Sequence, residues 1–449
     1  MPARFPEPVG AAGERFPLAA RALRRTTPPR ADIRAADAHP AIAMTRSAAP
    51  HNWALYLFLF LLPLQNLQTG YIPNLGGGLN FLNVMFAATL FGAVLSAGRL
   101  ALDEPVNRWI LAYAAYGLVS LLVGYRYVAD ASAHWTELKD QLVAIAVCFL
   151  VQMSVRDWVG ARRVIAATLL PLPYIAWVAW SQHASVAQWH YSDDLRISGT
   201  FSLLGANEFA AFCVTIAVTM FALLLAARLS LRWRIALAGA IACMLFGVLF
   251  AYSRTAYISL IVGSLSVLLA WRGRWKLLLP ALLAAALLPA VLPQSVVERF
   301  DTTTVDARDR DESIQLRFEY WQTAWELFKE HPLLGTGFHT FHHREVNPAG
   351  RDTHSLYMRT LSEGGLLGVI VLGGLLLALL RTALREIRRA VPGSWHYALA
   401  LGLLGAWVSL VCSNLFGDRF TYYPMIACFW AYAALVVRAR WLGPEGRPA

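Results

Sequence analysis

The chain has 449 residues, of which 57% are hydrophobic and only 15% are charged, and its mean hydropathy is +0.47. A soluble protein of this length would carry roughly 25% charged residues, so the composition excludes an ordinary soluble enzyme and indicates a membrane protein. The formal net charge of +11 would suggest a nucleic-acid ligand in a soluble chain. Here the positive charges lie between apolar segments, and we expect no nucleic-acid partner.

Residues 1–50 are rich in Arg, Pro and Ala and show no apolar period. They also lack the short apolar core and the small-residue cleavage site of a signal peptide. We predict that this basic N-terminal segment is disordered. Met44 lies just before the first apolar stretch, and we hypothesise that translation begins there, so that residues 1–43 are absent from the native protein.

Apolar stretches of about 20 residues, long enough to cross a bilayer, recur along the rest of the chain. They predict an all-α, polytopic membrane protein with about twelve transmembrane helices. Residues 51–293 would hold the first nine helices, 294–360 a large loop, 361–440 the last three helices and 441–449 a tail. The predicted spans are 53–69, 79–98, 106–125, 138–155, 161–181, 207–227, 233–251, 255–271, 275–293, 361–380, 396–414 and 421–438.

Lys and Arg accumulate in alternate connections between these spans, as the positive-inside rule requires. The alternation predicts an even number of spans, with both termini and the 441–449 tail in the cytoplasm and the 294–360 loop outside it. The five cysteines all lie in apolar runs, and we interpret them as small buried hydrophobic residues. The richest connections contain Arg156, Arg162 and Arg163; Arg228, Arg232 and Arg234; Arg272, Arg274 and Lys276; and Arg381, Arg385, Arg388 and Arg389.

The 294–360 loop begins acidic and then shows the periodicity of an amphipathic helix. Ser313 can cap this helix, and Pro332 and the turn Gly335-Thr-Gly337 follow it. Its aromatic face suits either the membrane surface or the helix bundle, and the residues alone leave both open. The apolar positions at helical spacing are Ile314, Phe318, Trp321, Trp325 and Phe328.

Four arginines lie on the outer side, close to the ends of spans. Arg254 lies between two spans at a helix junction, Arg196 and Arg419 are flanked by spans, and Arg317 lies on the polar side of the loop helix. Because guanidinium groups bind phosphates through a planar fork of donors, the four together form a candidate diphosphate site. The alternative is local pairing with carboxylates: Arg419 with Asp418, Arg196 with Asp193 or Asp194, and Arg317 with Glu319 or Asp311.

Five histidines lie in the same loop: His331, His339, His342, His343 and His354. Their spacing matches no established zinc pattern and no cysteine lies nearby, so we predict neither a metal site nor a cofactor. His354 differs from the others because it stands immediately before a span. A neutral imidazole there suits a general base that removes a proton from an attacking hydroxyl. A capping or interfacial histidine is the alternative.

Several short motifs resemble those of the O-antigen ligase and polymerase-like membrane proteins of bacterial envelopes. Two departures from the family pattern are clear: the chain has Leu204-Gly-Ala-Asn207 where Gly-Asn-Pro-Asn is frequent, and His354-Ser355 where His-Asn is frequent. The matching segments are Arg196-Ile-Ser-Gly199-Thr-Phe201, Asn207-Glu-Phe-Ala210, Ser253-Arg254-Thr-Ala256, Arg317-x-x-x-Trp321-x-x-Ala324, His331-Pro-Leu-Leu-Gly335-Thr-Gly337, His354-Ser-Leu-Tyr357 and Glu363-Gly-Gly-Leu-Leu-Gly368.

The resemblance implies a multispanning glycosyltransferase of the bacterial inner membrane with its large loop in the periplasm. The enzyme would transfer a polysaccharide from undecaprenyl diphosphate to a hydroxyl of lipid A–core or another glycan acceptor, without a metal ion. By resemblance, His354 would be the general base and Arg196 and Arg254 would bind the diphosphate. We add Arg317 and Arg419 to that set, with Asn207, Tyr357 and Glu363 as supporting residues.

Three other functions are open on the sequence. A polymerase that extends carrier-linked repeat units would share nearly all of these features, and a protein O-oligosaccharyltransferase of the same superfamily is a less favoured alternative. A secondary transporter is disfavoured, because the spans hold few ionisable residues near their centres and show no paired broken helices.

Overall fold

The structure is a computed structural model, and it describes residues 51–67, 80–96, 100–128, 130–186, 190–201, 204–277, 279–280, 283, 293–301, 312–443 and 445. Over these residues the regular structure is helical, which agrees with the predicted all-α class. The predicted N-terminal segment and the Met44 start lie outside the described residues. The α-helices are α1 Trp53–Leu61, α2 Phe81–Leu95, α3 Pro105–Gly124, α4 Ala131–Ser154, α5 Trp158–Leu169, α6 Leu172–Val186, α7 Ala206–Ala226, α8 Leu231–Phe250, α9 Arg254–Ala270, α10 Gln294–Asp301, α11 Glu312–Glu330, α12 Leu356–Arg389, α13 Trp395–Ser413 and α14 Tyr423–Arg438.

Six helical segments of the described part are long and apolar enough to cross a membrane, and α2 and α9 are shorter apolar helices. The count of twelve spans stays a prediction. At the predicted span 53–69 the helix α1 is only nine residues long, and neither α4 nor α14 is among the six segments. Most of the predicted span 275–293 lies outside the described residues. The six segments are Pro105–Tyr127, Trp158–Val186, Ala206–Ala226, Leu231–Phe250, Leu356–Arg389 and Trp395–Phe416.

Helix α14 lies at the centre of the bundle, since every residue from Pro424 to Val437 is buried. It packs against α4 and α13, and α13 in turn packs against α7 and α9. The amides in α4 are paired inside the protein: Gln141 donates to the Tyr113 hydroxyl at 2.7 Å, and Gln152 exchanges hydrogen bonds with Asn107. Pairing removes most of the cost of burying these amides in an apolar helix.

One predicted span contains a break in its helix. The span 161–181 corresponds to one apolar segment, Trp158–Val186, in which α5 ends at Leu169, α6 begins at Leu172 and Pro171 lies between them. Proline has no N–H to donate and its ring obstructs a continuing helix. The cysteines were all expected to be buried; Cys148, Cys213 and Cys428 are, whereas two are only half-buried.

Helix α12 is 34 residues long, far longer than the predicted span 361–380, and it is kinked at Gly365. The φ angle of Gly365 is +56°, a conformation that favours glycine. The kink leaves N–H groups of α12 to donate outward: Leu366 N bonds to Pro332 O at 2.8 Å and Leu367 N to Leu333 O at 3.1 Å. The loop before α12 is therefore joined to the kink by its backbone.

The turn Gly335-Thr-Gly337 docks into this kink. Thr336 N donates to Ser362 O at 3.0 Å and Gly337 N to Glu363 O at 2.9 Å. A Cβ atom on Gly337 would stand 2.1 Å from the backbone nitrogen of Gly124 in α3. Glycine is therefore required here by the close approach of two backbones.

Helix α11 begins one residue before its predicted cap, Ser313, and packs on α12. The buried cluster on this side contains Tyr320, Ala324 and Phe341. Two residues of the predicted apolar face point elsewhere, since Phe318 is 52% exposed and Trp325 is 48% exposed. Helix α11 thus contacts the bundle with one face and leaves Phe318 and Trp325 exposed on another. Packing on the bundle was one of the two predicted alternatives, and the exposed aromatic face remains compatible with the other, contact with the membrane surface.

Candidate active site

His354 stands on a strained backbone between two buried residues. Its φ angle is +50°, which is unfavourable for a residue with a side chain. Thr353 and Ser355 on either side are buried and hydrogen-bonded to each other, and the Ser355 hydroxyl caps α12 by accepting from Met358 N. Strain held in place by its neighbours is a common feature of functional sites.

The His354 residue is exposed, yet the protein around it lowers the pKa of its imidazole. Desolvation is the main cause, the charges of Arg317 and Arg419 lower the pKa further, and Asp352 opposes them. The imidazole is therefore neutral near pH 7, the form that can accept a proton. Two of the predicted arginines, Arg317 and Arg419, thus lie within electrostatic range of His354.

Arg196 is held by neutral partners. Its Nη2 donates to the Asn207 side-chain oxygen at 2.7 Å, and its Nε donates to Ala251 O at 3.3 Å. In the described part of the chain it makes no ion pair with Asp193 or Asp194, so the predicted local pairing is not formed. Burial lowers the pKa of this guanidinium, and the positive charge of Arg299 adds to the effect.

The first turn of α7 connects Arg196 to the neighbourhood of His354. Asn207 bonds to Arg196, and the next residue, Glu208, forms an ion pair with Arg419. Gly205 is the N-cap, with φ +94°, and Ala206 is the first helical residue. Glycine is accepted at an N-cap and alanine at the following position, so the departure from the family pattern at Gly205-Ala206 leaves the helix start intact.

A buried ion network lies behind the site and was not predicted. The Arg359 guanidinium pairs with Asp418, and its Nε lies 3.6 Å from the Glu363 carboxylate. The predicted alternative of an Arg419–Asp418 pair is therefore wrong, because Asp418 pairs with Arg359 instead. The spacing of four residues between Arg359 and Glu363 on one helix was the sequence signal that could have indicated this pair.

Glu363 also fixes the loop before α12. Its two carboxylate oxygens accept from His339 N and Phe341 N, both at 2.9 Å. Tyr357 has a comparable structural contact, since its hydroxyl donates to Val411 O of α13 at 2.8 Å. These two predicted supporting residues hold the elements that surround His354.

Arg254 is the first residue of α9 and is half-buried. Ala251 lies three residues before Arg254 in the chain, and its carbonyl accepts a hydrogen bond from Arg196. The backbone of Ile197 also bonds to Phe250 O at 3.2 Å, so the segment around Arg196 lies along the junction of α8 and α9. The predicted residues Arg196 and Arg254 thus lie on segments in direct contact.

Three other loop histidines, His339, His342 and His343, form a separate cluster near the start of α4. The imidazole rings of His339 and His342 have centroids 4.3 Å apart, and those of His342 and His343 are 4.1 Å apart. His339 pairs with Glu137. No group of three or more ligating side chains in the described residues has an arrangement that could hold a metal ion.

The fold and the site together define an integral membrane protein with a cation-rich site at one end of its helix bundle. A sequence model of the family described as O-antigen ligase matches residues 239–373, a segment that contains Arg254, Arg317, His354, Tyr357 and Glu363. The family resemblance carried by the motifs is thereby confirmed over this segment, and it supports a function of the ligase or polymerase type. No curated protein matches the chain.

Proposed function

We propose that the protein is an O-antigen ligase-like glycosyltransferase that acts at the periplasmic face of the bacterial inner membrane. The donor is a polysaccharide on undecaprenyl diphosphate, and the acceptor is a hydroxyl of lipid A–core. The observation that carries the proposal is the half-buried guanidinium of Arg196, which is held by neutral acceptors. Its positive charge is available to an anion from outside the chain.

In the proposed reaction the acceptor oxygen attacks the anomeric carbon of the donor sugar. The bond from that carbon to the diphosphate oxygen breaks, the diphosphate leaves with the electron pair, and the hydroxyl proton passes to His354. General-base catalysis of this kind typically contributes about 10²–10⁴-fold in rate. The lowered pKa of His354 supports the role, because the imidazole is ready to accept a proton at pH 7.

Arg196 and Arg254 would bind the diphosphate and stabilise the charge that develops as it leaves. The mechanism invokes no metal ion, because the guanidinium groups supply the positive charge. The charge of Arg317 acts on His354. In the proposed complex, Arg317 would contact the donor on the side that faces the acceptor. Arg419 is neutralised by Glu208, so we assign it a positioning role beside Asn207.

The test is a transfer assay with the purified full-length protein, a chelator and undecaprenyl-diphosphate-linked glycan, with and without lipid A–core. We expect one product that requires lipid A–core. A ladder formed from the carrier-linked substrate alone would identify a polymerase, and no transfer to any acceptor would refute the proposal.

The matched variants are His354→Ala and His331→Ala, which remove two histidines of the same loop. We expect the His354 variant to lose about 10²-fold or more in rate, and the His331 variant to retain wild-type transfer. A His354→Ala protein that inserts normally and transfers at the wild-type rate would refute the general-base assignment.

A further inference from the structure

An apolar groove of about 490 Å³ lies between α8 on one side and α5 and α6 on the other. We call it the α8 groove. A volume of this size is typical of sites that bind small molecules. One wall is a single face of α8, since the residues that line it recur at helical spacing. They are Arg232, Ile235, Ala236, Gly239, Ala240 and Cys243.

The opposite wall is formed where α5 ends and α6 begins, by Ala166, Leu169, Leu172 and Pro173. The walls do not close on each other, because small residues leave room between them. A Cβ atom added to Gly239 would meet no other atom within 4 Å. Protein interiors leave few voids larger than a water molecule, so a groove of this size in a membrane is suited to an apolar ligand.

The groove has a charged end and an apolar end. Among the described residues that line it, Arg232 is the only charged one, and it lies in the first turn of α8. Its residue is exposed, and its guanidinium has no ion pair in the described part of the chain. Trp233 beside it packs edge-on against Trp395, with ring centroids 5.0 Å apart. Tryptophan is enriched at membrane–water interfaces, so this end of the groove is placed at the level of the lipid head groups.

The length of the groove matches one leaflet of a bilayer. Eleven residues separate Arg232 from Cys243 along α8, a rise of about 16 Å. Half of the hydrocarbon core of a bilayer is about 15 Å thick. A ligand with its charged group at Arg232 would therefore extend along α8 to about the bilayer midplane, as the acyl chain of a phospholipid does.

The groove lies away from the proposed diphosphate site. Ala251, whose carbonyl accepts from Arg196, follows the other end of α8. The groove ends at Cys243, eight residues or about 12 Å earlier. A donor with its diphosphate at Arg196 and a lipid with its head group at Arg232 would therefore lie with their charged groups at opposite ends of α8.

We propose that the α8 groove binds an acyl chain of an anionic phospholipid whose phosphate lies at Arg232. The lipid belongs to the leaflet opposite to the one that faces His354. A guanidinium fork matches a phosphate, and basic pockets between membrane-spanning helices are suited to anionic head groups. The groove carries this inference by itself, and the inference does not depend on the proposed function.

The test is native mass spectrometry of the delipidated full-length protein in detergent, titrated with phosphatidylglycerol or phosphatidylcholine that carry the same acyl chains. We expect the wild type to bind phosphatidylglycerol more tightly. Arg232→Gln should weaken the binding of phosphatidylglycerol about 5-fold and leave that of phosphatidylcholine unchanged, because one basic residue near an anionic head group is removed.

Gly239→Leu tests the groove itself, because the added side chain would occupy the space beside α8 without displacing the protein. We expect it to weaken the binding of both lipids about 10-fold or more. Gly373→Leu is the matched control, since Gly373 on α12 has the same open surroundings and does not line the groove. It should bind both lipids as the wild type does. Without lipid, neither variant should unfold at a lower temperature than the wild type, because leucine favours a helix more than glycine does.

The results separate the lipid from other occupants. Loss of lipid binding in Gly239→Leu, together with loss of the preference for phosphatidylglycerol in Arg232→Gln, supports the proposal. Gly239→Leu binding that equals that of Gly373→Leu would refute it. Equal binding of the two lipids by the wild type would refute the choice of an anionic lipid. A wild-type dimer that Gly239→Leu dissociates, with lipid binding unchanged, would make the groove an interface between two copies of the chain and would also refute the proposal.

Discussion

Glu363 is predicted to be the residue on which the attachment of the loop to α12 depends most. It is 5% exposed and its two oxygens accept from His339 N and Phe341 N, while Arg359 lies beside it. Glu363→Ala would leave both buried N–H groups without an acceptor, at about 1–3 kcal/mol each. It would also remove one of the two carboxylates around Arg359, although Asp418 would remain. We expect a total loss of about 3–5 kcal/mol in unfolding free energy.

Glu363→Gln should have a smaller effect, because the amide keeps one acceptor oxygen and turns an NH₂ group toward the other N–H. The expected loss is about 1–3 kcal/mol. The assay is thermal unfolding in detergent followed by tryptophan fluorescence, combined with limited trypsin digestion at Arg344 and Arg351, which are exposed in the loop. Melting temperatures should fall in the order wild type, Gln variant, Ala variant, and trypsin should cut the loop fastest in the Ala variant.

Glu319→Ala is the matched control, since Glu319 is an exposed carboxylate on α11. It should melt with the wild type, because an exposed carboxylate contributes little to stability. A Glu363→Ala protein with the melting temperature and the digestion rate of this control would refute the reasoning that the carboxylate fastens the loop.

Three other predictions concern the same end of the bundle. The rate of transfer should fall as pH decreases through the lowered pKa of His354. Asp352→Asn should move that fall to still lower pH, because the charge of Asp352 raises this pKa. A fall centred at or above about pH 6.5 would contradict the general-base assignment. Burial, with the charges of His339 and His343, lowers the pKa of His342 to about 4. Its folded pKa is thus below its unfolded value, so stability is lost as pH falls below about 6.5, and His342→Gln should remove this acid sensitivity in melting curves from pH 7 to 5. Gly337→Ala should lower the melting temperature strongly, because the added Cβ would overlap the backbone of Gly124. Gly373→Ala is the control and should leave the melting temperature unchanged, because the space around the added carbon is open. Equal melting temperatures of the two variants would show that the turn can shift.

The positions of several helices could be predicted well because a membrane span is a continuous apolar stretch of about 20 residues, which is easy to recognise in a sequence. The predicted spans 207–227, 233–251 and 255–271 agree within a residue or two with α7, α8 and α9. The break between α5 and α6 could not be placed by apolar content alone, since both halves are equally hydrophobic. Only Pro171, by its missing N–H, carried the signal for it.

The site was predictable in its residue types and less so in its pairings. His354, Arg196 and Arg254 stood out because ionisable side chains this close to membrane spans usually face a cavity or a partner and not lipid. Asp418 could have paired with its neighbour Arg419, yet it pairs with Arg359, 59 positions away in the chain. Such partners are set by how α12 and the segment after α13 pack, which a local sequence window does not contain.

The positions of the carboxylates distinguish arginines that stabilise the fold from the arginine that is proposed to bind an anion. Arg359 lies between Asp418 and Glu363, and Arg419 is paired with Glu208, so the charges of these two arginines are balanced inside the protein. An arginine with a buried carboxylate partner binds an external anion only after the pair breaks, which is costly in a desolvated site. Arg196, in contrast, is oriented by an amide and a backbone carbonyl, which fix its direction without cancelling its charge. If the proposed diphosphate binds at Arg196, neutral positioning partners are the arrangement that keeps the cation in place and leaves its charge available to the ligand.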